Sequence, residues 1–100
     1  MTIRGLRFAW DSEKAASNLR KHGVSFEEGR TIFADSDEVM LPDPDHSAEE
    51  ERYISIGRAA NGEVMLACYT EFDELIRLIS VRKAAPAEIQ IYWRQGDENA

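Results

Sequence analysis

Polar and apolar positions change their period several times along the chain, and each change marks an element. Leu6, Phe8 and Trp10 alternate with Arg7 and Ala9, which predicts a first strand over about residues 4–10 with one buried face. Asp11 or Ser12 then caps a helix that turns Ala15, Ala16 and Leu19 inward and ends at Gly23. Ser25-Phe26-Glu27-Glu28 reads as a capping box. It opens a second helix that carries Phe26, Gly29, Ile32 and Phe33 on one face and stops near Ala34. Asp37 to Leu41 is a short candidate strand. Pro42-Asp43-Pro44-Asp45 follows as an extended loop, because each proline removes a donor and restricts the residue before it.

Arg52 to Arg58 alternates again, with Ile54 and Ile56 on one side, and Asn61-Gly62 supplies positive backbone angles for a tight hairpin. Glu63 to Thr70 is apolar at both parities and belongs in the sheet interior. Phe72-Asp73-Glu74 turns into a last strand, Leu75 to Arg82. Pro86 then opens a C-terminal helix that carries Ile89, Tyr92 and Trp93 and ends before Gly96. Helices at the two ends and consecutive strands between them give an α+β class: one largely antiparallel sheet, two N-terminal helices and one C-terminal helix.

A length of 100 residues suits one core, so a single domain is expected over 1–100. The lone cysteine, Cys68, lies in the apolar run Val64 to Tyr69 and reads as a small core residue, with no disulfide or cysteine metal cluster to draw. The N-terminus does not resemble a signal peptide, and no apolar run approaches the ~20 residues that cross a bilayer. A cytoplasmic protein without a membrane partner is expected.

The net charge of −7 argues against a nucleic-acid partner until its distribution is read. Asp35 to Glu51 holds eight acids and no lysine or arginine, which leaves eleven acids against twelve cations elsewhere. A local basic surface is compatible with an acidic whole. Cations inside an apolar strand then matter most, and Arg77-Leu78-Ile79-Ser80-Val81-Arg82-Lys83 holds three. Strand parity groups Arg77 with Ile79, Val81 and Lys83, and Arg82 with Leu78 and Ser80, so a regular strand turns the two arginines to opposite faces. Only a bulge, or a strand ending by about Val81, brings both into one groove. One reading has guanidinium forks gripping phosphate by two parallel bonds. The other pairs Arg77 with Glu51 or Glu71 and leaves Arg82 and Lys83 as strand-end charges.

Arg20-Lys21-His22 closes the first helix, where cations complement the helix dipole but also attract phosphate, and His22 is a candidate acid or base near neutral pH. His46, in the acidic proline loop, reads as solvated. Arg52 opens a strand and joins Arg77 or Arg82 if their strands are neighbours. No glycine-rich phosphate loop, dinucleotide fingerprint or HExxH motif is present, and no cofactor or metal is expected.

Several segments, taken in order, resemble the BrnT family of bacterial toxins over nearly the whole chain. They are Phe8-Ala9-Trp10-Asp11 with Lys14 and Asn18, Lys21-His22-Gly23-Val24-Ser25-Phe26-Glu27-Glu28, Phe33-Ala34-Asp35, Glu50-Glu51-Arg52, Gly57, and Arg77 to Ala84 with Tyr92. The resemblance implies a RelE-like ribonuclease fold, metal-independent RNA cleavage through the ribose 2′-hydroxyl, and growth arrest. It also implies neutralisation by a BrnA-like antitoxin with a DNA-binding domain, through which alone the complex reaches operator DNA. By motif it implies Arg52, Arg77 and Arg82 as phosphate or transition-state contacts, with Lys21, His22 and Lys83 in support, and Tyr92 either stacking on a base or packing the last helix. A noncatalytic interaction module of the same fold is the alternative. The chain departs from the family in a C-terminal helix without a cation before Arg94, in Val81 where alanine is common, and in Gly29 where a small helix former is usual. Gly29 alone weakens a helix by about 1 kcal/mol relative to alanine.

Overall fold

The computed structural model describes residues 3–43 and 51–98, so the expectations for Asp45, His46, Glu49 and Glu50 fall outside the described residues. Strand β1 (Arg7–Ala9) is shorter than the alternation predicts. Arg4 and Gly5 adopt left-handed angles, φ 54° and 82°, which fold Ile3 back onto Leu6. Asp11 caps α1 (Ser12–His22) by accepting from the N–H groups of Glu13 and Lys14 at 2.7 and 3.2 Å, and Gly23 closes the helix through its N–H to Leu19 O. Ser25 Oγ accepts from Glu28 N–H at 3.0 Å to start α2 (Phe26–Gly29). The expected single helix continues instead as a 3-10 helix (Arg30–Ala34), where Thr31 Oγ donates to Glu28 O at 2.6 Å.

Four further strands follow: β2 (Val39–Pro42), β3 (Tyr53–Arg58), β4 (Val64–Phe72) and β5 (Leu75–Lys83). The sheet order is β1-β5-β4-β3-β2, antiparallel except for the β1–β5 pair. At the β3–β4 turn only Gly62 has a positive φ (91°), not Asn61 as well. Between β4 and β5 the two turn residues Asp73 and Glu74 carry φ 53° and 66° without any glycine. Helix α3 (Pro86–Glu98) runs through Gly96, where a stop was expected. A glycine inside a helix costs about 1 kcal/mol and does not by itself end it.

The two faces of the sheet are covered unequally. Against one face α1, α2 and the 3-10 helix pack the larger core, including Phe26, Ile32, Phe33, Met65, Tyr69, Ile76, Leu78 and Val81. Against part of the other, α3 packs Tyr92 on Ile56 and Leu66. Two departures from the family pattern meet in the larger core. A Cβ on Gly29 would lie 2.5 and 2.7 Å from the two γ-methyls of Val81, inside any tolerable contact. The valine thus occupies the volume that a side chain at position 29 would need.

Two polar residues lock the layers. Asn18, 5% exposed, donates from Nδ2 to Val81 O (2.8 Å) and Val24 O (3.0 Å), and its Oδ1 accepts from Val81 N–H (3.0 Å). Its amide pairs with β5 as a strand would, beyond the point where β1 stops at the Ala9–Arg77 partnership. Asp35 accepts from Tyr92 OH at 2.6 Å and from Arg58 N–H at 2.8 Å, which fastens α3 to the sheet. Burial raises the Asp35 pKa, but these hydrogen bonds outweigh it and hold the carboxyl below its usual range.

Candidate nucleic-acid interface

Register at β5 decides where its arginines point. Cys68 faces Ser80, yet the next residue of β4, Tyr69, faces Leu78, so Ile79 is an extra residue in β5. This bulge reverses the parity. Ile76 and Leu78 before it and Val81 after it are all buried against the helices, and Arg77, Ser80 and Arg82 all turn to the opposite face. Arg52 has the parity of Ile54 and Ile56 and belongs to that same face. Rows across it read Ile56–Leu66–Arg82, then Ile54–Cys68–Ser80, then Thr70–Arg77 with Arg52 at the β3 end. Arg52 and Arg77 are thus about two strand spacings apart, ~10 Å between backbones. Helix α3 packs on the first row and its cluster takes in Ile54 of the second, where Asp43 lies beside Cys68; among the described residues no helix packs on the Thr70–Arg77 row.

The arginines differ in company. Arg77 is exposed and has no hydrogen-bond or ion-pair partner among the described residues. Glu71, one carboxylate expected to pair with it, stands opposite Ile76 on the helix side, and Glu51 accepts from Tyr53 OH at 2.9 Å. Arg82 does not turn toward Arg52 or Arg77. Its two terminal nitrogens donate to the two oxygens of Glu88, both at 2.8 Å, and Glu88 also accepts from Ala85 N–H at 2.7 Å to cap α3. The Arg82 hydrogen bonds draw the Glu88 carboxyl below its ordinary pKa, against a smaller opposing effect of burial.

Lys83 is not part of this face. It pairs with Met65 across the sheet and lies 3.5 Å from Glu63 on the helix side, in a cleft of about 260 Å³ that Glu28 also lines. Tyr92 is 4% exposed and its hydroxyl is tied to Asp35, so its ring is closed to a stacked base and packs the last helix. Lys21 and His22 meet β5 at its bulge. Together with Lys14 and Ser17 of α1 they border a cleft of about 240 Å³ completed by Asn18, Ile79 and Ser80, with no carboxylate among the described residues that line it. Lys14, Ser17 and Lys21 recur at helical spacing, a stripe that Asn18 turns toward β5.

Three residues of this surface carried no role in the sequence reading: Lys14, Ser80 and Arg7. Arg7 faces Leu75 and therefore stands one row beyond Arg77 on the same side, a placement that its outward parity in β1 already signalled. Cys68 lies among these side chains, but burial and the nearby Asp43 push its thiol pKa up, only partly offset by Arg52. Among the described residues no three His, Cys, Asp or Glu side chains gather to hold a metal ion, and no helix is long and apolar enough to cross a membrane.

Residues 10–88 match the family described as "Ribonuclease toxin, BrnT, of type II toxin-antitoxin system". No curated protein matches the chain in sequence. Among solved structures, the chain is similar to the 1.1 Å crystal structure of the Brucella abortus ribonuclease toxin, BrnT. That similarity has a TM-score of 0.63 at 20% identity and covers 80% of this chain and 97% of the other. An α+β fold with a five-stranded, mostly antiparallel sheet agrees with that relative, and the family match spans most of the chain: this protein belongs to the BrnT ribonuclease toxin family of type II toxin–antitoxin systems.

Proposed function

We propose that this chain itself cleaves single-stranded RNA on the open half of the sheet face that bears Arg52 and Arg77. The observation that carries the reading is the bulge at Ile79, which sets Arg77 on one face with Ser80, where no described residue supplies its guanidinium with an anion. In the reaction, the ribose 2′-oxygen attacks the adjacent phosphorus and the bond to the 5′-oxygen breaks. The products are a 2′,3′-cyclic phosphate and a 5′-hydroxyl. Negative charge gathers on the non-bridging oxygens, and a fixed guanidinium stabilises it without moving a proton. Arg77 serves this role, with Arg52 about two strands away.

The cleft of Lys14, Lys21 and His22 holds the strand as it leaves the sheet over β5, and the His22 imidazole is the group of this set that transfers a proton. Arg82 is a positioning residue in this scheme, since Glu88 already fills its fork. The partner is an antitoxin of the BrnA kind, whose DNA-binding domain brings the complex to its operator, and the toxin acts in the cytoplasm.

Induced expression without the antitoxin tests the reading. Growth arrest with RNA fragments ending in cyclic phosphate is expected. Arrest abolished by Arg77→Ala, in a protein whose melting temperature and antitoxin binding are unchanged, locates the chemistry. Unchanged growth and intact RNA on expression of the parent chain would sink it.

A further inference from the structure

We infer that Phe72 is a stacking platform for one base of the bound RNA, an assignment that rests on the RNA-cleaving reading above and names the residue that holds a nucleobase there. Phe72 is 82% exposed, the most exposed large apolar side chain among those described. It faces Leu75 across the β4–β5 hairpin, and Leu75 in turn faces Arg7, so Phe72, Leu75 and Arg7 form one row of the open face. The next row is Thr70 and Arg77, ~7 Å along the strand, close enough for one nucleotide to touch both Phe72 and Arg77. Arg7 also donates to Asp73 O in the hairpin turn at 3.4 Å, tying the tip that carries Phe72 to β1.

The setting selects the occupant. An apolar anchor for a protein partner sits within an apolar patch, whereas the row beside Phe72 offers a guanidinium and a small hydroxyl. Of the three carboxylates next to Phe72 in the chain, Glu71 turns to the helix side and Asp73 and Glu74 lie in the turn, whereas Arg7 and Arg77 share its face. A ring with guanidiniums on its own face can take a base by its π-face while the guanidiniums take phosphates. Tyr92 is buried, and the half-exposed Trp93 lies under the guanidinium of Arg58, which faces Val64 at the opposite end of β4. Stacking tolerates any base, so this contact gives a general affinity with a bias toward the larger purine surface.

The experiment measures binding of a short 2′-O-methyl RNA, whose blocked 2′-oxygen prevents cleavage, to the parent protein and to Phe72→Ala, Phe72→Leu and Phe72→Trp. Binding about ten-fold weaker for the alanine and leucine variants, restored by tryptophan, with melting temperatures unchanged, is the expected result. An abasic site scanned through the oligonucleotide identifies the stacked position: one position weakens binding to the parent and leaves Phe72→Ala indifferent. Equal RNA affinity for parent and alanine variant overturns the platform while leaving the ribonuclease reading intact, and so does loss of antitoxin binding alone. A parent protein that binds no RNA removes both readings together.

Discussion

Toward the helices, β5 presents Ile76, Leu78 and Val81, all buried. Val81 alone is met by the missing Cβ of Gly29 and by both faces of the Asn18 amide. Toward the other side it presents Arg77, Ser80 and Arg82, of which Arg82 is held by Glu88 and Arg77 by nothing described. One strand therefore carries a side on which volume and hydrogen bonds are matched and a side on which charge is left over. Matched groups make a fold. A cation without a counterpart among the described residues is available to an anion that arrives later, and the distinction separates Arg77 from Arg82 although both sit on one face.

Substitutions on the two sides should act on different observables. Arg77→Ala is expected to lower RNA cleavage at least about 100-fold while moving the melting temperature by less than about 3 °C. A large loss of stability instead would erase the difference between the faces. Asn18→Ala has the largest expected structural effect. It strands the Val81 N–H and carbonyl at the strand edge and should cost about 3 kcal/mol in urea unfolding.

Gly29→Ala should cost about 2 kcal/mol through the clash with Val81. Val81→Ala introduced beside it should recover part of that loss, and simple additivity of the two would show that the residues do not touch. Arg82→Ala and Glu88→Gln each remove the same partly exposed pair. Each should lower stability by about 1 kcal/mol, with no further loss when combined.

The smallest effects lie at the pH extremes. Asp35 and Glu88 have folded pKa values below their ordinary ones, so their stabilisation is present above about pH 4 and fades as pH falls through the lowered values. Tyr92 behaves oppositely. Burial, and then its bond to Asp35, push its pKa up to about 12, so the stability it contributes is complete below about pH 10 and lost between there and about pH 12. Tyr92→Phe should flatten the alkaline part of a stability–pH curve and also shrink the Asp35 share of the acid part, while the Glu88 share stays in place.

The elements were legible in the sequence because hydrophobic period, capping residues and turn residues act over a few positions. Ser25 capping Glu28 and the order of strands are local facts. The orientation of the arginines was not, since one extra residue at Ile79 reverses parity, and the bulge is visible only in the partner strand's register. The company of Arg82 was hidden for a related reason: Glu88 lies six residues away across a chain reversal that composition does not announce. Gly29 and Val81 read as two unrelated departures. They are one contact, 52 residues apart in the chain, and each explains the other only once they touch. The resemblance named family and fold, but the cleft at Lys14, Lys21 and His22 needed α1 to be placed against β5.

Asn18 has a consequence for the protein in a crowded cell. A strand whose neighbour ends early exposes a row of backbone donors and acceptors, the kind of edge along which separate molecules join into extended sheets. By lending its amide to Val81, Asn18 ends that row with a group that has no further strand to offer. Its loss is therefore expected to favour aggregation of chains as well as unfolding of single ones.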